Sequence, residues 1–272
     1  MKLKILLSGS HGFIGSHLKQ SLIDEGIEVR LVQHELLENL DILKAIAIDF
    51  QPTIIIHMAA YGNLITQTDD ELIIQANYTN LFNLLHASRD VKYEMFINFS
   101  TSSTLLPYNT MYSATKAGGE RLCKAFANKY QKRIVSVQPF TVTGLGEPKE
   151  HLIPTLIRSC LNGEKMRFVG SPVHDYIGID DFIDAIRLIT ENYDLYDTVQ
   201  IGTGVKTTNQ EVLEIVERVT GKKANITTVS NMRNYDTKDW VADTTMIKSL
   251  GWEQKQTIED VIYQMVYANI KN

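Results

Sequence analysis

Cysteine, long apolar runs and an excess of positive charge are all scarce in this chain, and each shortage excludes a class of protein. The two cysteines, Cys123 and Cys160, stand far apart and in no metal-ligand spacing, which indicates reduced thiols of a cytoplasmic protein and no metal site. Lys and Arg total 27 against 32 Asp and Glu, a net charge of -5, so we expect no nucleic-acid partner.

No apolar stretch is long enough for a signal peptide core or a membrane span. The apolar run at residues 3–7 ends at Ser8 and Gly9, and the run at residues 54–56 is shorter still. We therefore expect a soluble protein with no membrane partner. Its 272 residues, 44% of them hydrophobic, suffice for one large core or for a main domain with a smaller lobe.

The first half alternates strand-like and helix-like segments. Short apolar runs predict strands, and apolar residues at helical spacing predict the helices between them. The strands are expected at residues 3–7, 28–32, 53–57, 95–99 and 134–138, and the helices at 13–23, 40–50, 73–89 and 111–129. This alternation predicts an α/β fold, a Rossmann-type doubly wound parallel sheet covered on both faces.

The rhythm changes after about residue 145. Helices are expected at 153–161, 180–190, 209–220 and 258–270, with short strands near 167–169 and 199–201. We assign residues 1–145, with returning segments from the second half, to a dinucleotide-binding domain, and residues 146–272 to a smaller substrate-binding lobe. Open parallel sheets bind ligands at the carboxyl ends of their strands, so the lobe is expected there.

A glycine-rich turn links the first strand to the first helix. Gly9, Gly12 and Gly15 form a G-x-x-G-x-x-G pattern, in which the first permits a tight turn, the second admits a pyrophosphate and the third allows close packing of helix on sheet. The free N–H groups at a helix start favour an anion. After the third strand, the small residues Ala59 and Ala60 let a dinucleotide lie against the chain. An ordinary glycine-containing turn is the alternative.

A tyrosine and a lysine at i and i+4 carry the catalytic prediction. Tyr112 and Lys116 share one face of the helix expected at 111–129, and a nearby ammonium favours the phenolate of a tyrosine whose ordinary pKa is near 10. The fourth strand ends in hydroxyl side chains at residues 100–104, of which Ser102 is suited to orient a carbonyl or alcohol. Such a pair alone also occurs on surface helices.

With these motifs the sequence resembles the extended short-chain dehydrogenase/reductase family, the nucleotide-sugar epimerases, dehydratases and reductases. Residues 139–144 resemble the family's Arg-Pro-x-Asn-x-Tyr-Gly segment, and residues 174–181 its Arg-Asp-Phe-x-His-Val-x-Asp segment. Residues 201–204 and 250–252 match its late Asn-x-Gly-x-Gly and Leu-Gly-Trp segments. The resemblance covers nearly the whole chain. It implies a cytoplasmic enzyme of nucleotide-sugar metabolism and polysaccharide biosynthesis that takes a nucleoside diphosphate sugar, and it leaves a homodimer open.

The resemblance implies three sets of site residues. The catalytic set is Ser102, Tyr112 and Lys116. The cofactor set is Gly9, Gly12, Phe13, Ile14, Gly15, His34, Ala59, Ala60, Asn77, Ser100, Tyr112, Lys116 and Pro139, with the Asn77 amide expected to brace the loop after strand four. The substrate set is Ser102, Thr141, His174 and Arg233, where Thr141 replaces an Asn, His174 replaces a phosphate-binding Arg, and Arg233 suits the nucleotide phosphates.

Departures from the family pattern narrow the reaction. Ser103 and Thr104 follow Ser102 where 4,6-dehydratases carry an Asp-Glu pair, and neither cysteine is placed as an acid for 3,5-epimerisation. Only nine residues separate Ser102 from Tyr112, a compression that resembles the deoxysugar 4-keto reductases. The prediction is reduction of a 4-keto nucleotide sugar. A 4-epimerase with tightly bound NAD, a reductase of another small carbonyl compound and a non-catalytic dinucleotide sensor stay open.

The end of the second strand bears on the cofactor. Residues 31–34 contain no acid to bond the ribose 2′-hydroxyl of NAD, whereas Gln33 and His34, with Arg30 nearby, are compatible with a 2′-phosphate. The pattern favours NADP, with NAD as the alternative.

Overall fold

The computed structural model describes residues 3–192, 194, 197–230, 236–237 and 239–271. The strands are β1 Lys4–Ser8, β2 Glu28–Val32, β3 Ile54–His57, β4 Met95–Phe99, β5 Ile134–Pro139, β6 Thr141–Thr143, β7 Met166–Phe168, β8 Val173–His174, β9 Tyr176–Gly178, β10 Asp197–Ile201, β11 Thr207–Thr208 and β12 Ile226–Thr228. The helices are α1 Phe13–Asp24, α2 Leu40–Phe50, α3 Asp70–Ile74, α4 Asn80–Ser88, α5 Met111–Tyr130, α6 Leu152–Asn162, α7 Ile179–Glu191, α8 Asn209–Thr220, α9 Thr245–Ser249 and α10 Ile258–Lys271.

The main sheet has six strands in the order β10-β5-β4-β3-β1-β2, and the pairs among β1 to β5 are parallel. The predicted Rossmann-type fold is therefore confirmed. The chain order reverses between β1 and β3, and a parallel sheet binds ligands at the carboxyl end of such a switch point. The glycine turn after β1 and the loops after β3 and β4 all leave the sheet at this edge.

Buried strands explain why the sheet forms. β3 and β4 are buried along their whole length, as expected of parallel strands covered on both faces. One face packs on a cluster that includes Leu6, Ile55 and Phe96 from the strands and Leu43, Leu84 and Phe126 from helices α2, α4 and α5. None of the helices in the described ranges has the length and apolar character that a membrane crossing requires.

The chain divides into two compact units. The first comprises residues 1–105, 109–139 and 186–199, and the second comprises 106–108, 140–185 and 200–272. The segment 186–199 thus returns from the second half of the chain to the first unit. The predicted domain boundary at residue 145 stays a prediction.

The second unit contains its own apolar core and a buried carboxylate. Its core includes Leu156, Phe168, Val212 and Ile262. Asp175 is fully buried, and its carboxylate accepts hydrogen bonds from the backbone N–H groups of Thr203, Gly204 and Ala242 and from the Thr203 hydroxyl, at 2.7–3.0 Å. One side chain thereby holds together three separate segments of this unit.

We expect Asp175→Ala to lower the free energy of unfolding by about 3 kcal/mol, because several buried N–H donors lose their acceptor at once. Urea titration measures it. The control is Asp239→Ala, which removes only an exposed ion pair with Lys206 and should change the free energy by less than about 1 kcal/mol. Equal values for the two variants would contradict this structural role.

Candidate active site

The glycine turn has two positions that the protein's own packing reserves for glycine and one that it does not. Gly9 has a φ of 78°, and a Cβ there would lie 2.5 Å from the Ala59 nitrogen. A Cβ on Gly15 would lie 2.1 Å from the Gly9 carbonyl oxygen. A Cβ on Gly12 would meet that oxygen only at 3.6 Å, an ordinary contact, so the fold itself does not require glycine there.

The start of α1 follows Gly12 directly. Gly12 is the N-cap and has no side chain to accept from the first N–H groups of the helix. The Ser16 N–H is the first to bond within the helix, to the Gly12 carbonyl, so the N–H groups of Phe13, Ile14 and Gly15 have no acceptor within it. N–H groups at a helix start bind the oxygens of an anion. A bare Gly12 beside these donors therefore fits a dinucleotide pyrophosphate.

The ends of β1 and β3 are joined by a buried polar pair. The Ser8 hydroxyl and His57 Nδ1 are 2.7 Å apart, and both residues are almost fully buried. Burial, and then the charge of Lys116, lower the pKa of His57 to about 3. His57 is therefore neutral at neutral pH. Ala59 and Ala60 follow, half-buried and exposed respectively, so chain without bulky side chains faces outward there.

Asn77 lies in a π-helical turn, Gln75–Thr79, that joins α3 to α4. Its side chain accepts from the Tyr61 N–H at 3.0 Å and donates to the Tyr61 carbonyl at 2.8 Å and to the Thr115 hydroxyl at 3.2 Å. Asn77 is thus a brace between the loop after β3 and helix α5. The expectation that it braces the loop after strand four is wrong. π-turns often mark functional positions.

Helix α5 positions the Tyr-Lys pair. It begins at a capping box in which Thr110 and Ser113 exchange hydrogen bonds. Lys116 is buried, and its Nζ donates to the Phe99 carbonyl at the end of β4, 2.7 Å away. Burial lowers the pKa of Lys116 to about 8, so the amine is largely charged at neutral pH.

Tyr112 is a neutral phenol in this environment. Burial raises the pKa of Tyr112 to about 12, and a hydrogen bond with the Thr101 side chain opposes the rise. The Lys116 ammonium lies 6.0 Å from the centroid of the Tyr112 ring. We expected Lys116 to lower the pKa of Tyr112, and in the protein by itself it does not.

The hydroxyl-rich segment after β4 lies against α5. Ser102 is buried and begins a 3-10 turn, Ser102–Leu105. The Ser100 hydroxyl donates to the Glu120 carboxylate. Ser102, Tyr112 and Lys116 therefore belong to two adjoining segments of the first unit, at the carboxyl edge of the sheet. A phenol, an ammonium and hydroxyls in this setting suit proton transfer to or from an alcohol or carbonyl.

Residues 33–35, directly after β2, are exposed, and the arginine expected to assist them is already paired. His34 begins a 3-10 helix, His34–Glu38, and its side chain is 63% exposed with Nδ1 3.9 Å from the Glu35 carboxylate. Arg30 pairs with Asp49 at 2.7 Å and lies over the Phe50 ring. Arg30 is therefore committed to the end of α2.

The predicted substrate residues belong to the second unit. The Thr141 N–H donates to the Asp175 carbonyl at 2.9 Å, directly after His174 in the chain, so Thr141 and His174 are neighbours within that unit. The His174 ring lies 5.3 Å from the Trp240 ring. Arg233 lies outside the described residues. Pro139 ends β5 in the first unit.

Sequence reasoning missed three polar residues around the Tyr-Lys pair: Thr101, Glu120 and His57. Glu120 continues the i, i+4 series of Tyr112 and Lys116, and this spacing was the available signal. No sequence signal distinguishes Thr101 from its hydroxyl-bearing neighbours. His57 lies at the end of an apolar strand, and only the parallel pairing of β1 with β3 brings it to Ser8.

The sequence of this chain is similar to one protein family over most of its length. The profile of the NAD dependent epimerase/dehydratase family matches residues 5–202. The chain belongs to this family. It is 25% identical to a putative GDP-L-fucose synthase 2 of Arabidopsis thaliana, over 99% of this chain and 92% of that protein. It is 27% identical to a UDP-glucose 4-epimerase of Lactobacillus helveticus, over 96% and 95%.

A solved structure agrees with the fold. The UDP-glucose 4-epimerase of Thermotoga maritima, crystallised with UDP-glucose, superposes with a TM-score of 0.88 at 23% identity and covers 99% of both chains. The resemblance to the extended short-chain dehydrogenase/reductase family is confirmed, and the chain is an enzyme of an NAD(P)-dependent nucleotide-sugar epimerase, reductase and dehydratase family.

Substitution of Gly12 should affect dinucleotide binding, whereas substitution of Gly15 should affect stability. Gly12→Ala is expected to cost at most about 1 kcal/mol of unfolding free energy, because alanine is a weaker N-cap, but to abolish dinucleotide binding. Gly15→Ala should cost about 3 kcal/mol or prevent folding, because its Cβ overlaps the Gly9 carbonyl. Thermal unfolding and fluorescence titration with NADPH measure the two effects. Unchanged NADPH affinity in Gly12→Ala would remove the phosphate assignment.

Proposed function

We propose that this enzyme reduces the 4-keto group of a nucleotide-linked deoxysugar, with Tyr112 as the proton donor. The observation that carries the proposal is the placement of Tyr112, whose side chain is hydrogen-bonded to Thr101 in the segment that contains the buried Ser102. With a pKa of about 12, the tyrosine holds its proton throughout the neutral range. That protonated form is the one that reduction of a carbonyl group needs.

Three residues of the first unit have separate roles in this reaction. A bound nicotinamide supplies the hydride. Ser102 orients the carbonyl oxygen by a hydrogen bond, and Tyr112 donates its proton to that oxygen as negative charge develops there. Lys116, cationic below its pKa of about 8, is the residue suited to hold ribose hydroxyls.

The segment after Ser102 supports reduction over dehydration. The Ser103 N–H donates to Thr101 Oγ1, and the Thr104 hydroxyl donates to the Thr101 carbonyl, so both residues serve the turn. Neither carries the carboxyl group that eliminating water would need. Glu120 accepts from Ser100 and from Gln138 and is engaged within the protein.

For the cofactor we propose NADP, with NAD as the alternative. The support is the absence of an acid at residues 32–34, where the chain reads Val32, Gln33 and His34. Because Arg30 pairs with Asp49, His34 and Gln33 are the residues left to meet a 2′-phosphate.

For the substrate we propose a nucleoside diphosphate sugar bound by Thr141, His174 and Arg233. A histidine binds phosphate more weakly than arginine does, and its binding depends on pH.

We also propose a homodimer. Ile74, Tyr78 and Phe82 follow one another at four-residue spacing across α3, the π-turn and α4, and all three are exposed, as an apolar contact face requires.

Tyr112→Phe should abolish turnover and leave NADPH affinity nearly unchanged, because the substitution removes the proton donor and little volume. Reduction of 4-keto-6-deoxyhexose nucleotides with four different bases is followed by loss of NADPH absorbance. The matched control is Tyr263→Phe, which removes an exposed hydroxyl from α10. Full activity of the Tyr112 variant would exclude this mechanism.

Cofactor exchange distinguishes the reductase from the 4-epimerase. A reductase consumes one NADPH per turnover, so the purified enzyme should be free of nicotinamide or exchange it, and should bind NADPH more tightly than NADH. The measurement is nicotinamide content after denaturation, followed by titration of the stripped protein. Tightly retained NAD with no preference for NADPH would instead favour the epimerase, which must return the hydride within one turnover.

A further inference from the structure

Glu120 is a polar residue of α5 that has no role in the proposed reaction. It lies one turn beyond Lys116 and two turns beyond Tyr112 on the same helix, and it is half-buried. Long charged side chains are seldom taken from water unless partners compensate. The partners of Glu120 therefore indicate what its carboxylate does.

The Glu120 carboxylate is a hub between α5, the segment after β4, and β5. It accepts from the Ser100 hydroxyl and, at 2.8 Å, from Gln138 Nε2. The Thr104 hydroxyl lies 3.4 Å away, and Gln138 Nε2 also donates to Thr104 at 2.9 Å. Ser100 and Thr104 are the two ends of the five-residue segment that contains Thr101 and Ser102.

Gln138 serves the same hub. It is buried in β5, and its amide nitrogen donates to Glu120 and to Thr104. Its Oε1 has no hydrogen-bond partner within the described residues. A buried acceptor without a partner is costly, and it persists where the other end of the side chain is needed. The amide is thus oriented by the Glu120 carboxylate.

We infer that Glu120 is a positioning residue, which fixes the hydroxyl segment 100–104 against α5 and so sets the placement of Thr101 and Ser102 relative to Tyr112. The inference rests on the proposed function of Tyr112 and Ser102. Glu120 accepts its hydrogen bonds from Ser100, Thr104 and Gln138, so in this proposal it acts through the segment and not on the substrate. Because its bonds hold both ends of the segment, losing them lets the middle of the segment move away from the tyrosine hydroxyl.

Glu120 also carries a charge that acts on Lys116, so its effect on catalysis has two candidate causes, the hydrogen bonds and the charge. Besides Glu120, the titratable groups that influence Lys116 or respond to it are Cys123 on α5 and His57 on β3. A neutral replacement that still accepts hydrogen bonds separates the two effects. Glu120→Gln keeps an acceptor for Ser100 and removes the charge, whereas Glu120→Ala removes both.

The experiment compares Glu120→Ala, Glu120→Gln and the control Glu217→Ala. Glu217 is also a helical glutamate with a largely buried side chain, and it holds the Ala224 N–H and Lys223 in the second unit. For Glu120→Ala we expect kcat to fall about 100-fold with KM and NADPH affinity unchanged, because small misplacements of reacting groups cost that much. Glu120→Gln should stay within about tenfold of the parent, and Glu217→Ala should equal it.

A spectroscopic measurement tests the placement without any substrate. In protein labelled at the tyrosine Cζ, the Tyr112 signal, assigned by its loss in Tyr112→Phe, reports hydrogen bonding of the phenol. It should move in Glu120→Ala and keep its position in Glu120→Gln and Glu217→Ala. If Glu120→Ala does not fold, Gln138→Met, which removes the donor to Glu120 and Thr104, should move the Tyr112 signal away from its position in the parent protein.

The outcomes separate the two proposals. A parent enzyme that reduces no 4-keto nucleotide sugar, but whose Tyr112 signal moves in Glu120→Ala, overturns the proposed function and supports the positioning role. An active parent whose kcat and Tyr112 signal are both unaltered in Glu120→Ala overturns the positioning role alone. A loss of thermal stability with unaltered kcat and signal assigns Glu120 a purely structural part and likewise overturns it.

Discussion

The hydrogen bond from the buried Lys116 ammonium to the Phe99 carbonyl is the contact on which the site depends. It ties the second turn of α5 to the last residue of β4. An ammonium taken from water is expensive unless it is bonded or paired, and burial lowers its pKa to about 8. The bond thus keeps a charged group at the end of β4, directly before the hydroxyl segment in the chain.

Three further polar contacts attach neighbouring loops to the same helix and sheet edge. Asn77 joins the loop after β3 to α5, Glu120 joins both ends of the hydroxyl segment to α5, and Ser8 joins His57 across β1 and β3. All are inside the first unit, the Ser8–His57 contact is buried and the others are partly buried. Hydrogen bonds are stronger, and unmet polar groups more costly, away from water. The proposed proton donor therefore sits in a preorganised polar network, which is what catalysis by positioned dipoles requires.

Much of the fold was predictable because its signals are local. Apolar runs predicted β1 to β5 within a residue or two, and helical spacing predicted α2 and α8 with the bounds that the structure has. The helix expected at 73–89 instead begins at Asp70 and contains a π-turn, since one extra residue per turn leaves no mark in a helical pattern. Of the short strands of the second unit, β7 was predicted near residues 167–169. The others, β6, β8, β9, β11 and β12, were missed because two or three residues carry no periodicity.

The sequence by itself determined the chemistry that is available: a glycine turn at a strand-helix junction, a Tyr-Lys pair on one helix face, and hydroxyls at a strand end. These follow from spacing, which survives in any fold that keeps the element order. Only the tertiary structure decided the ionisation of Tyr112 and Lys116, the engagement of Arg30 by Asp49, and the partners of Asn77 and Glu120. Burial and long-range contacts set those properties, and both arise when segments distant in the chain pack together.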